Sequence, residues 1–133
     1  MNYRSIDGGC YYIQTEVQAS FETAQADCDT RFPNGGRLFE AQSLEMNEKV
    51  MIASRELLSL KNGWFYTGIK RGETVGSDFK FFSSGITVPY QDDISGLENT
   101  DSAPQCVYVS NSLNLSWDDS HCNLSWYSIC ESK

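Results

Sequence analysis

The sequence lacks the features that mark several classes of protein. No apolar run approaches the roughly 20 residues that a membrane-spanning helix requires, and the N-terminal stretch has no apolar run of signal-peptide length. Positive charge is scarce, since ten Lys and Arg face eighteen Asp and Glu, which leaves a formal net charge of −8. Because this charge opposes attraction to phosphate backbones and to anionic lipid, we predict neither a nucleic-acid partner nor insertion into a membrane.

The composition is that of a folded globular chain. Hydrophobic residues make up 40% of the 133 residues and charged residues 21%, a balance that disordered chains do not show. We find no internal repeat, low-complexity tract or linker-like stretch. The sequence therefore predicts one domain over residues 1–133 with a single core.

Cysteine usage indicates the compartment. The five cysteines form no CxxC pair, and His121 is the one histidine, so a zinc site with paired ligands is disfavoured. Disulfide bonds in an oxidising compartment explain the pattern better. Two N-x-S sequons, at Asn114 and Asn123, are candidate glycosylation sites and agree with it. We predict a secreted protein or one on the extracellular face of the cell.

The cysteine count is odd, so at least one cysteine lacks a partner within the chain. The sequence alone permits about fifteen ways of forming two bonds and leaving one cysteine over. Cys10 is the expected orphan, because it stands alone near a terminus. Either its partner lay upstream of Met1, or Cys10 bonds to a second chain and makes a dimer.

The order of predicted elements is typical of an α+β domain. A strand at residues 10–13 precedes two helices, which begin after Ser20 and Ser43 as N-caps and end at 33–36 and 61–63. Leu44, Met51 and Leu58 are the predicted buried stripe of the second helix. Further strands are predicted at 37–41, 64–69, 79–82, 106–109, 113–118 and 127–131.

The stretch of residues 89–105 has little periodicity and several acidic and amide residues. Loops of this length within a compact domain are usually functional or disordered, and apolar strands flank this one, so we expect a binding function. Catalysis is not expected, because a single His121 and the absence of a GxSxG elbow leave no basis for a hydrolase triad.

Several motifs, taken in order, resemble the C-type lectin-like domain over nearly the full chain. Gly-Gly-Arg-Leu at 35–38 resembles its Gly-Gly-x-Leu turn, and Tyr-Thr-Gly-Ile at 66–69 resembles a variant of its Trp-Ile-Gly-Leu strand. The closest match is Trp-Asp-Asp-Ser-His-Cys at 117–122 with Ile-Cys-Glu at 129–131. The resemblance implies two helices packed on antiparallel sheets, a long ligand-binding loop, and the disulfides Cys28–Cys130 and Cys106–Cys122. It also implies that Trp117 packs beneath the loop.

Sugar-binding members of that family bind through calcium, which takes six to eight oxygen ligands. Asp118 and Asp119 match the Asn and Asp of the family's Trp-Asn-Asp strand. In the loop, Glu98 and Asn99 stand near the family's Glu-Pro-Asn triplet but without its proline, and Pro104-Gln105 replaces the Glu that precedes the third framework cysteine. Lys70 and Arg71 occupy the region of the second family calcium site.

The resemblance therefore implies a degraded or rearranged calcium site. We take Glu98, Asn99, Asp118 and Asp119 as candidate ligands of calcium and of a sugar, and a solvated acidic loop without an ion as the alternative. Further oxygen donors lie near the same face at Asp92, Asp93 and Asp101.

Three functions are compatible with the sequence. The first is recognition of a glycan or a cell-surface glycoprotein through the long-loop face, with a modified calcium site or none. The second is a metal-independent module of receptor or venom type that binds a protein. The third is interaction with ice or a mineral surface. Fold resemblance alone does not choose among them.

Overall fold

The computed structural model of the chain describes residues 2–58, 63–72, 74–94, 97, 104–112 and 116–133. Among these residues, neither helix has the length and apolar character needed to cross a membrane. The predicted site residues Glu98, Asn99 and Asp101 and the sequon residue Asn114 lie outside the described residues.

The chain begins with a hairpin that places its N-terminal part beside its C-terminus. β1 (Tyr3–Ile6) pairs with β2 (Gly9–Ala19), and the turn between them holds Asp7 and Gly8 at φ values of 49° and 85°. β2 continues the sheet by pairing with β8 (Trp126–Ser132). The predicted strand at 10–13 is thus one part of a much longer strand, and β1 was not predicted.

Both helices begin at the serines that the sequence predicts. α1 (Phe21–Asp29) has Ser20 as its N-cap, and α2 (Leu44–Leu57) has Ser43, whose Oγ accepts a hydrogen bond from the Met46 backbone N–H at 3.1 Å. Such caps satisfy N–H groups that have no partner within the helix.

The buried face of α2 differs from its predicted stripe. The helix buries Asn47, Val50, Met51 and Ser54, whereas Leu44 is 38% exposed. The prediction is right for Met51 and wrong for Leu44. The buried positions keep helical spacing, but two of the four are polar, so a search for apolar residues alone put the start of the stripe one turn too early.

The strands form one mixed sheet. In addition to the three strands above, β3 (Gly36–Leu38), β4 (Trp64–Arg71), β5 (Lys80–Phe81), β6 (Gln105–Ser110) and β7 (Trp117–His121) are present. The order is β1-β2-β8-β4-β6-β7, with β3 against β8 and β5 against β4. The ladders are antiparallel apart from β4 and β8, which run parallel, so the predicted antiparallel character holds for most of the sheet.

Within the described part of the chain, the apolar core has three parts, each on a different part of the sheet. One cluster packs beneath α2 and includes Val50, Met51 and Phe65. A second packs against α1 around Tyr66 and Tyr108. The third lies between β4–β6 and residues 79–94, together with Leu97. The loop region is therefore supported by a core of its own.

Two disulfides join these parts, as the family resemblance implies. Cys28–Cys130 ties α1 to β8 and Cys106–Cys122 ties β6 to the end of β7, with Cα–Cα distances of 5.2 and 5.1 Å. In the chain-entropy model the loops they close are worth about 4–5 and about 3 kcal/mol of stability. Cys10 is exposed and unpaired.

An ionic cluster, which we call the Arg37 cluster, links β3, β5 and β8 and consists of Arg37, Glu40, Ser83 and Glu131. The Arg37 Nε lies 2.7 Å from the Glu131 carboxylate, and its Nη1 lies 3.7 Å from that of Glu40. The buried Glu40 carboxylate accepts from the Ser83 N–H at 2.8 Å and the Ser83 hydroxyl at 2.7 Å. Burial raises the pKa of Glu131 despite the opposing effect of Arg37. Every charge in this cluster has a partner.

Candidate functional site

β7 carries the two predicted ligands that the structure describes, Asp118 and Asp119. Both are half-buried and both pair in register with β6, Asp118 opposite Tyr108 and Asp119 opposite Val107. Successive side chains of a regular strand point to opposite faces of the sheet. The two carboxylates therefore lie on different faces of β7.

Asp118 lies on the α1 side of the sheet, where its carboxylate is held by the protein. One oxygen accepts the backbone N–H of Asp119 at 2.8 Å, and the other accepts the hydroxyl of Tyr108 at 3.3 Å. Burial, followed by the charge of Asp118, raises the pKa of Tyr108 to about 12. Tyr108 is therefore a neutral donor at physiological pH, and it fixes the orientation of Asp118.

Asp119 shares its face with Val107 and Trp117, towards the core beneath the loop region. Val107 belongs to that core, and Trp117 packs against it with its ring 6.3 Å from that of Tyr90. The position of Trp117 agrees with the packing that the family resemblance implies. Asp119 thus lies on the face of β7 that packs towards the core beneath the loop region. Asp118 lies on the opposite face, next to aromatic side chains.

The described donors do not fit a calcium ion. No group of three His, Cys, Asp or Glu side chains that could hold a metal occurs among the residues that the structure describes. Asp118 is directed away from Asp119 and is engaged by Tyr108, and Asp92 and Asp93 are exposed on a separate 3-10 turn, Gln91–Asp93. Calcium requires six to eight oxygens around one point. The set of Glu98, Asn99, Asp118 and Asp119 stays a prediction, and two of its four members lie outside the described residues.

An aromatic surface borders Asp118. The Tyr108 ring lies 5.1 Å from that of Trp64 and 5.0 Å from that of Trp126, and the two indoles are 6.2 Å apart. Both tryptophans are half-buried, so part of each side chain is accessible to solvent. We call Trp64, Tyr108, Asp118 and Trp126 the Asp118 surface.

The sequence patterns did not single out Tyr108 as part of this surface. The signal that could have found Tyr108 is strand alternation. In the β6–β7 ladder, residues 106, 108, 118 and 120 face one way, which places a tyrosine opposite the first Asp of the Trp-Asp-Asp motif.

Asn123 lies in the turn after Cys122 and is exposed. A glycan is sterically compatible with an exposed turn position. Its glycosylation stays a prediction, as does that of Asn114.

Comparison with known proteins gives a family and a fold. The model of the family described as Lectin C-type domain matches residues 17–132. No curated protein sequence matches the chain. Among solved structures, CEL-IV is similar with a TM-score of 0.79 and 19% identity, covering 98% of this chain and 90% of that one.

Two further structural matches have different described roles. A calcium-independent type II antifreeze protein matches with a TM-score of 0.73 and 20% identity over 98% of this chain and 91% of its own. EMS16, an antagonist of the collagen receptor integrin alpha2beta1, matches with a TM-score of 0.67 and 17% identity over 98% and 96%. Identities this low carry the fold and leave the ligand open. The family match over residues 17–132, the two helices on a mixed sheet and the two disulfides establish that this chain belongs to the C-type lectin domain family.

Proposed function

We propose that this chain is an extracellular carbohydrate-binding domain that contacts its ligand at the Asp118 surface, on β6 and β7 where the long loop returns to the sheet, without a complete calcium site. The observation that carries the proposal is the bond from the Tyr108 hydroxyl to the Asp118 carboxylate, at 3.3 Å, beside two half-buried indoles. Membership of the C-type lectin domain family supports a binding role, since such domains are typically non-catalytic binding modules.

This chemistry suits a sugar. The apolar face of a pyranose packs on an aromatic ring, and Trp or Tyr offers a large surface with a polar edge. A fixed carboxylate accepts hydrogen bonds from the hydroxyl groups of a sugar. Such charge-assisted hydrogen bonds are roughly twice as strong as neutral ones. Because Tyr108 and the Asp119 N–H orient the Asp118 carboxylate before binding, little rotamer entropy is lost when a sugar arrives.

A glycan array in calcium buffer and in EDTA tests the proposal. We expect the same sugars to bind in both buffers. Asp118→Asn should weaken binding by about tenfold, since it removes the charge from the hydrogen-bond acceptor. Asp119→Asn makes the same change on the opposite face and separates the alternatives, because a calcium site built from both residues would lose binding in either variant.

Loss of all glycan binding in EDTA, together with equal losses in the two variants, would contradict the proposal and favour a rearranged calcium site. Absence of any glycan binding in either buffer would instead favour a protein ligand.

A protein partner is the second candidate, and a groove on the N-terminal hairpin favours it. This groove has a volume of about 480 Å³ and is lined by Tyr3, Cys10, Tyr11 and Phe32 among others. The exposed thiol of Cys10 lies in it. A disulfide through Cys10 to a second copy would make a covalent dimer across this groove.

Non-reducing electrophoresis and light scattering of the folded protein test the dimer. We expect a dimer that reductant and Cys10→Ser both abolish. A monomer in the absence of reductant would contradict a role for Cys10 in assembly.

Export to an oxidising compartment is part of the proposal. The two disulfides support it, because such bonds persist outside the cytosol. Intact-mass analysis of protein secreted from a eukaryotic cell reports occupancy at Asn114 and Asn123. A glycan on Asn123, one residue after Cys122, would hinder sugar binding at the neighbouring surface.

A further inference from the structure

Two lysines face each other across neighbouring strands. Lys70 of β4 and Lys80 of β5 are direct partners in the antiparallel ladder, and the adjacent pair Ile69 and Phe81 is buried. Lys70 and Lys80 therefore share the outer face, with Cβ atoms about 4.5–5.5 Å apart. Like charges directly opposite in a sheet are destabilising.

No described acidic side chain neutralises this pair. Neither Lys70 nor Lys80 forms an ion pair with any residue that the structure describes, whereas Lys49 pairs with both Asp7 and Glu45. Asp78, two positions before Lys80, accepts hydrogen bonds from Thr87 and Gln91 instead. Among the residues that the structure describes, no acidic side chain is thus paired with this positive charge, in a chain whose net charge is −8.

The two lysines border a pocket with an aromatic wall. Its volume is about 360 Å³, and its lining includes Lys70, Lys80, Phe82 and Pro104. Phe82 is 48% exposed, and its ring packs edge-on against Phe21 at 5.3 Å. The Lys70 ammonium lies 5.0 Å from the Phe21 ring and 5.5 Å from that of Phe82, so cation–π contacts hold it at the pocket.

The turn that follows β5 leaves the pocket accessible to solvent. Gly85 adopts a φ of 72°, a left-handed conformation, and a Cβ built on it would have no atom within 4 Å. The Gly85 N–H donates to the Phe81 carbonyl at 2.9 Å, and the Phe82 N–H donates to the Gly68 carbonyl at 2.7 Å. The backbone of the turn is thus fixed by hydrogen bonds while its outer side stays accessible.

We propose that this pocket binds an acidic sugar, with its sulfate or carboxylate group between Lys70 and Lys80 and its ring against Phe82. An anion placed there relieves the repulsion between the two ammonium groups and gains a charge-assisted hydrogen bond from each. The exposed face of Phe82 offers the apolar contact that a sugar ring uses. The pocket has the size of a small-ligand site, for which about 300 Å³ is the lower end of the usual range.

This site is separate from the Asp118 surface, and the inference does not rest on the function proposed above. It needs no metal, because two lysines supply the positive charge that a cation would otherwise provide. The acidic remainder of the protein repels polyanions at long range, so the attraction is local to the pocket and favours a small acidic ligand.

Calorimetry of the full chain with four probes tests the inference: galactose 6-sulfate, N-acetylneuraminic acid, galactose and inorganic sulfate. We expect at least one acidic sugar to bind, and to bind more tightly than galactose or sulfate, with an affinity that falls as salt is raised. The two acidic sugars separate sulfate from carboxylate as the preferred group.

Variants locate the site. Lys80→Gln should weaken acidic-sugar binding by about tenfold, the effect of removing one charged hydrogen bond, and Lys70→Gln should act in the same direction. Lys49→Gln makes the same change in charge on α2, outside the pocket, and should leave binding unchanged. Phe82→Ala should reduce the advantage of the acidic sugar over inorganic sulfate.

Absence of binding by both acidic sugars would overturn the inference. So would an equal loss in Lys80→Gln and Lys49→Gln, because the effect would then be one of net charge. Neutral glycans that bind the Asp118 surface should bind the Lys80→Gln variant normally, so failure at one site is distinguishable from failure at the other.

Discussion

Two groups of charged side chains flank β5, and they differ in how their charges are balanced. In the Arg37 cluster one cation lies between two carboxylates, and Glu40 and Glu131 are 3% and 13% exposed. In the lysine pair, Lys70 and Lys80 face each other, and no carboxylate of a described residue forms an ion pair with either lysine. The charges of the first group neutralise one another, whereas those of the second are accessible to solvent.

The difference indicates different roles. Buried charges persist when they are paired and hydrogen-bonded, so the Arg37 cluster acts as a structural joint between β3, β5 and β8. A like-charge pair on a sheet surface costs stability, and its retention at the mouth of a pocket indicates a ligand of opposite charge. We therefore expect the Arg37 cluster to stabilise the fold and the lysine pair to destabilise it.

The largest loss of stability should follow from removing a buried carboxylate from the Arg37 cluster. Glu40→Ala removes a buried carboxylate, leaves the Ser83 N–H without its acceptor and weakens the hold on Arg37. We expect a loss of about 3 kcal/mol in the free energy of unfolding, measured by urea denaturation. Glu45→Ala, at a side chain 78% exposed, is the matched control and should cost less than about 1 kcal/mol. Equal losses in the two variants would remove the structural role of the cluster.

A smaller loss of stability should follow from adding a methyl group at Gly68, next to Glu40 of the same cluster. A Cβ on Gly68 would lie 2.5 Å from the Glu40 Cγ and 2.8 Å from the Leu38 carbonyl oxygen, which is backbone and cannot move aside cheaply. Gly68→Ala should therefore cost about 2 kcal/mol. Gly72→Ala is the control, since its Cβ would have no atom within 4 Å. A Gly68→Ala variant as stable as the parent would show that the Glu40 packing is looser than the structure has it.

The pH dependence of stability should show the burial of the Glu131 carboxyl group. Because burial raises its pKa when folded, the folded chain binds this proton more tightly than the unfolded chain does. Its contribution to stability is fully present below the unfolded pKa, about 4.3, and falls as pH rises through the folded value. The stability difference between the parent and Glu131→Gln should thus shrink from acid to neutral pH in parallel urea titrations. A difference that grows with pH would mean that pairing with Arg37 outweighs burial.

The smallest effect on the free energy of unfolding should be a gain rather than a loss. Lys80→Gln relieves the repulsion with Lys70 and should raise the free energy of unfolding by about 0.5 kcal/mol at low salt, with the gain fading as salt screens the charges. Lys49→Gln removes a paired lysine and should give no such gain. A loss of stability in Lys80→Gln that salt does not alter would contradict repulsion between Lys70 and Lys80.

The sequence predicted local features well. Ser20 and Ser43 are N-caps because capping depends on residues within one turn of the helix start. The framework disulfides and the packing of Trp117 followed from the family resemblance, since these positions are set by the shared fold.

Features that depend on strand register were not predictable in the same way. The pairing of Lys70 with Lys80 depends on a two-residue strand, and an irregularity between Tyr66 and Lys70 shifts the ladder with β6. The contact of Tyr108 with Asp118 depends on the β6–β7 register. A shift of one residue would reverse the face of every side chain, so both findings needed the structure.

A calcium titration of the folded domain by calorimetry, with an EDTA-stripped control and a thermal-shift readout, tests metal-independent recognition most directly. A native-state ion would raise stability by about 2.7 kcal/mol at a hundredfold excess over its Kd. We predict a flat titration, an unmoved melting curve and glycan binding that survives EDTA. Saturable calcium binding that Asp118→Asn and Asp119→Asn both abolish would contradict the proposed function and restore the calcium site.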